Sequence, residues 1–137
     1  MTPSMIALNL LARSYGATSA KMDARLGAMH GIGFGDYLLL EAIAAGGGRQ
    51  KPTDLARALH LTPSGVTRAL IPLEKIGLVR RERTDRDARV SYAVLTGASE
   101  ALLSHARTTA SEAADLMTGN LSDNELETLH DLLARLA

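Results

Sequence analysis

The sequence predicts a mainly α protein with a small β wing, a winged helix-turn-helix. Three observations carry this. Two short helical segments, each with a proline in its first turn, are joined by the tight turn His60-Leu61. Directly after them come two strand-like runs, 78–82 and 90–95, separated by the charged stretch RTDRDAR, which together read as a hairpin. The first helix and the last two carry more apolar surface than a chain of 137 residues covers alone, which predicts an obligate-type dimer formed by the N- and C-terminal helices.

The elements follow in order. Residues 3–29 read as one long helix with a stripe of Ile6, Leu10, Tyr15, Met22, Leu26 and Met29. His30-Gly31-Ile32-Gly33 breaks it. A second helix spans 34–45 and stops at Gly46-Gly47-Gly48. Pro52 opens a third, with Asp54 at the positive end of its dipole and Leu55, Ala56 and Leu59 on its apolar face. Thr62 caps a fourth, whose Val66, Leu70 and Leu73 face inward. Pro72 should bend this helix or weaken its last turn, and Gly77 closes it. The segment 83–89 is expected to be a polar loop, and Val90, Tyr92 and Val94 give the second strand its alternation. A long helix follows over 98–117. Ser122 and Glu125 form a capping box for a last helix with Leu126, Leu129, Leu132, Leu133 and Leu136 on one side. A single domain over 1–137 is expected, with a winged lobe at 34–96 and dimerisation helices at 3–29 and 98–136.

Composition narrows the function. One Phe, three Tyr and no Trp leave an aliphatic core, and the absence of Cys excludes disulfides and thiolate zinc ligands. No apolar run approaches the ~20 residues of a membrane span. The N-terminal segment reads as an amphipathic helix rather than a signal peptide, so a soluble cytoplasmic protein is expected. Net charge is zero, but its distribution is uneven. Residues 49–90 hold ten Lys+Arg against five Asp+Glu, and the remainder holds five against ten. Salt screens charges beyond about 8–10 Å, so a locally basic face can still attract phosphate.

A helix presented across a tight turn suits the major groove of DNA. The fourth helix offers Ser64, Thr67 and Arg68 with Gly65 between them, and the arginine-tipped hairpin suits a narrow minor groove. Alternatives stand beside each reading. Arg68 could pair with Glu74 or Asp54, and the hairpin tip could be merely solvated. His30, His60, His105 and His130 are scattered, so no metal and no cofactor is expected. Ser64 lacks the neighbouring base that a nucleophile needs, so an enzyme is not expected.

Leu55 to Thr96 carry a further pattern: Leu55-Ala56, Thr67-Arg68, Leu73-Glu74, Gly77-Leu78-Val79, Arg81, Asp87-Ala88-Arg89 and Leu95-Thr96. In this order and spacing the stretch resembles the MarR family of transcriptional regulators, and the flanking helices extend the resemblance over the whole chain. The resemblance implies double-stranded DNA with a palindromic operator as partner, a homodimer, and repression modulated by a small aromatic or anionic effector. It implies DNA contacts from Thr62, Ser64, Gly65, Thr67, Arg68, Arg86, Asp87 and Arg89, with Arg89 in the minor groove and Asp87 orienting it. Met29, His30, Phe34 and Tyr37 are the expected effector lining, although helical spacing also fits plain core. The alternative is a ligand-sensing or protein-interaction module without DNA binding. The sequence departs from the family in lacking the D-P pair near Asp85, in placing Gly33 where a hydroxyl cap is usual, and in Pro72. Without Cys, sensing by thiol oxidation is excluded.

Overall fold

The N-terminal segment forms one helix, α1 (Pro3–His30), capped by the Thr2 hydroxyl. The computed structural model describes residues 1–84 and 86–137, and of residues 87–89 the backbone alone. After α1 come α2 (Phe34–Ala45), β1 (Arg49–Gln50), α3 (Pro52–Leu59), α4 (Pro63–Lys75), β2 (Val79–Thr84), β3 (Asp87–Leu95), α5 (Gly97–Met117) and α6 (Asp123–Ala134). The three strands form an antiparallel sheet in the order β1-β3-β2.

The caps follow local chemistry. Thr62 Oγ1 accepts from the Gly65 amide at 3.0 Å, and Ser122 Oγ accepts from Glu125 at 3.2 Å while the Glu125 carboxylate accepts from the Ser122 amide at 2.9 Å. Hydrogen bonds from the Ser122 amide, and secondarily its hydroxyl, hold the Glu125 carboxyl below its usual pKa. Gly33 brings no hydroxyl to the start of α2. Carboxylates replace it: Asp36 accepts from the Gly33 amide at 2.9 Å, and Asp23 of α1 accepts from Phe34 at 2.6 Å. The α1–α2 corner is thus pinned from both sides.

The core is aliphatic. Leu26, Leu40, Ile43, Leu55, Val66 and Leu70 are fully buried, and Ala106, Ala110 and Ala113 make a small-residue face on α5 where α1 packs with Met22 and Leu26. Truncating a fully buried leucine leaves a cavity that a close-packed core only partly fills. Leu40→Ala is expected to lower unfolding free energy by about 2–5 kcal/mol. Urea denaturation followed by circular dichroism checks this, and an unshifted midpoint would remove Leu40 from the core.

One expectation changes, and the sheet adds two features that the sequence pattern does not show. The hairpin loop is shorter than 83–89, because Arg83 and Thr84 stay in β2 and β3 begins at Asp87. Cross-strand pairing of Arg81 with Ala93, Glu82 with Tyr92 and Arg83 with Ser91 carries the ladder outward whatever the side-chain polarity. The bulky alternation of β3 does not mark its core face. Ala93 and Leu95 enter the helical core, while Tyr92 and Val94 lie on the other parity. Finally β1, two polar residues paired with Val94 and Ala93, extends the sheet. Its strand character comes from that partner rather than from its own composition.

Candidate nucleic-acid interface

α3 ends at His60, whose backbone is left-handed (φ 53°), and the Leu61 amide returns to the Ala56 carbonyl at 2.9 Å. This closes the turn in three residues, 60–62, and sets α4 across α3. Val66, Leu70 and Leu73 anchor α4 in the core. Helical periodicity then turns Ser64, Thr67 and Arg68 outward, and all three are exposed. Thr62 is exposed too, but its hydroxyl is engaged in the cap, 3.3 Å from Ser64 Oγ. Thr67 Oγ1 donates to the Pro63 carbonyl at 3.0 Å, leaving its lone pairs available. Gly65 is half-buried, and a Cβ there would stand 3.0 Å from Thr62 Oγ1. Its smallness serves the cap as much as any close approach to a partner.

The ion pairs separate Arg68 from the groups that could have held it. Asp54 pairs with Arg57 at 3.7 Å, and Glu74 hydrogen-bonds Arg81 across to β2. Among the described residues Arg68 enters no ion pair, and it is exposed on the same helical face as Ser64 and Thr67. The Glu74–Arg81 pair is structural: it ties the end of α4 to the hairpin. Thr96 does the same at the other end of the hairpin, donating to the Gly77 carbonyl at 2.7 Å while its backbone and hydroxyl cap α5 through Ser99. The spacing from Gly77 to Thr96 in the sequence pattern therefore has a physical cause.

Arg86 is exposed at the hairpin turn. The side chains of Asp87 and Arg89 lie outside the described residues, and their backbone belongs to β3. Sequence reasoning missed a second cationic group at the other edge of the sheet. Arg49 stacks on the Tyr92 ring with its guanidinium carbon 3.8 Å from the centroid, and Lys51 Nζ approaches the same ring at 5.9 Å. Glu82 neutralises part of this cluster through Arg49 at 3.3 Å and Arg80 at 2.8 Å. The only sequence signal was the local excess of Lys and Arg.

The four residues expected to line an effector site have different surroundings. Phe34 and Tyr37 stack with centroids 6.4 Å apart and pack on the core. Burial, and secondarily the Glu41 carboxylate, push the Tyr37 phenol above its ordinary pKa, with Arg107 opposing. His30 Nε2 is 2.7 Å from Thr109 Oγ1 of α5, and Met29 is 65% exposed. Two surface grooves are lined by other residues: one of about 400 Å³ along α6, and one of about 140 Å³ between Lys21 and Arg25 of α1 and Ala113, Leu116 and Met117 of α5. Among the described residues no cluster of three or more His, Asp or Glu could hold a metal, and no helix is long and apolar enough to cross a membrane.

A recognition-type helix held across a three-residue turn, with both arms of a hairpin tied at its C-terminal end, defines a winged helix-turn-helix protein. Residues 30–90, a little under half of the chain, match the model of the MarR family. Among solved structures, it is similar to a probable transcriptional regulator from Pseudomonas aeruginosa, at 25% identity and a TM-score of 0.85, over 93% of this chain and 94% of that one. A point mutant of MarR from E. coli complexed with operator DNA matches at 22% identity and a TM-score of 0.86, over 97% and 95% of the two chains. BpsR from Bordetella bronchiseptica, solved in a study of its DNA-binding regulation by 6-hydroxynicotinic acid, matches at 19% identity and a TM-score of 0.86, over 95% and 97%. No curated protein sequence matches the chain significantly.

Proposed function

We propose that the chain is a sequence-specific, double-stranded DNA-binding regulator. It acts in the cytoplasm as a homodimer on a palindromic operator, as a repressor whose DNA affinity a small aromatic or anionic effector modulates. The observation that supports this best is the exposed stripe of Ser64, Thr67 and Arg68 on α4, free of carboxylate partners among the described residues and set at a helix N-terminus whose amides favour anions. The lobe at 34–96 would dock α4 in the major groove and bring Arg89 to the adjacent minor groove, with Asp87 orienting it and Arg86 on a neighbouring phosphate. Helices within 3–29 and 98–136 would pair the two copies. The operator complex of the E. coli protein and the 6-hydroxynicotinic acid response of BpsR lend support, because both use this fold. Phe34 and the protonated phenol of Tyr37 are the groups best suited to an aromatic effector, and Met29 and His30 are the other two residues of the proposed lining.

The test is selection from a randomised duplex pool, followed by affinity measurement across a salt series. An inverted repeat with half-site centres about 10 base pairs apart should be enriched. Log affinity should fall linearly with log salt, at about −0.9 per phosphate neutralised. Absence of both enrichment and salt dependence would favour a ligand-sensing or protein-interaction module instead.

A further inference from the structure

Ile71 is the one branched aliphatic side chain on the outward face of α4, and it is 42% exposed. It follows Ser64 by seven residues, Thr67 by four and Arg68 by three, and precedes Lys75 by four, so all five share one face. At 100° per residue it points about 160° away from Leu73, which is 1% exposed on the inner face. Its place is not set by core packing. Nor does helix propensity favour it, since a β-branched residue is a poorer choice for an exposed helical site than Lys or Ala. Pro72 follows it and removes the amide that would bond the Arg68 carbonyl, which stiffens the backbone at this point.

We infer that Ile71 is a specificity-determining residue, contacting the 5-methyl group of a thymine in each half-site. The inference rests on the DNA-binding reading above and deepens it. A major groove presents donors, acceptors and one apolar feature, the thymine methyl. The face of α4 presents hydroxyls, an arginine, a lysine and one apolar side chain. Ser64 and Ile71 are separated by about 10 Å along the helix axis, comparable with the groove's width of about 12 Å. Arg68 and Lys75, one turn to either side, hold the strands between which the methyl projects.

The test uses a duplex selected from the randomised pool by the parent protein, with each thymine replaced singly by deoxyuridine. The parent should lose about fourfold in affinity at one thymine per half-site, the value of one buried methyl. Ile71→Val should keep this preference. Ile71→Ser should bind the thymine and deoxyuridine duplexes equally, with an unchanged salt slope and with the parent's affinity for the deoxyuridine duplex, which also shows that it is folded. The inference is overturned if no deoxyuridine position weakens the parent, or if Ile71→Ser keeps the discrimination. Selective binding that persists without methyl sensitivity overturns this inference alone. Absence of selective binding overturns the DNA-binding reading with it.

Discussion

Leu129→Glu together with Leu133→Glu should convert the protein to a folded monomer and lower operator affinity by about 10²–10⁴-fold. The two side chains lie one turn apart on α6 and are 40% and 39% exposed, with Leu132 at 49% and Leu136 at 68% beside them. None of the residues of α6 is buried. The N-terminal half of α1 has the same character, with Met5, Ile6, Leu8, Leu10 and Leu11 all exposed. A row of leucines along a helix that no other element of the chain covers is the surface an isologous dimer buries. Charges placed there face desolvation in the dimer and only water in the monomer. Each lobe would then bind one half-site alone, without the gain from tethering its twin. Light scattering gives the mass, circular dichroism the helicity and a duplex titration the affinity. A dimer that persists, or a monomer with the parent's affinity, would show that these helices do not build the DNA-binding assembly.

What the sequence disclosed was local. The hydroxyls of Thr62 and Ser122, the prolines at 52 and 63 and the glycine at 77 act within a few residues of themselves, so their pattern could be read directly. Contacts between distant segments were not legible. The Asp23 carboxylate caps α2 from ten residues before Gly33, and β1 exists because Val94 and Ala93 offer it a ladder. Which parity of β3 faces the core was not legible for the same reason. Tyr92 looks like a core residue by size, yet its ring lies under Arg49, while small Ala93 fits against the helices. At the interface, the exposed stripe of α4 followed from its helical period. The partners of Glu74 and Asp54, which leave Arg68 without an ion pair among the described residues, required the fold. For the effector lining, closeness in sequence grouped Met29, His30, Phe34 and Tyr37, while the fold leaves Met29 exposed and packs Phe34 and Tyr37 on the core.

The two arginines proposed to meet DNA should fail in different ways when removed. Arg68→Ala takes a guanidinium from the major-groove face, where each base pair shows a distinct donor and acceptor pattern. It should cost about 1–3 kcal/mol on the preferred duplex and relax selection at one base pair per half-site. Because Arg68 is exposed and without an ion pair among the described residues, stability should stay within about 0.5 kcal/mol of the parent. Arg89→Ala acts in the minor groove, where the pattern is degenerate and width governs the potential. It should weaken binding to many duplexes, most of all those with A/T-rich flanks, and should reduce the salt slope by about one. Asp87→Ala should resemble a milder Arg89→Ala, since it leaves the cation but removes the group proposed to orient it. The measurement is affinity for selected and scrambled duplexes from low to physiological salt. If all three variants stay folded and bind both duplexes as the parent does, neither α4 nor the hairpin recognises DNA through these residues.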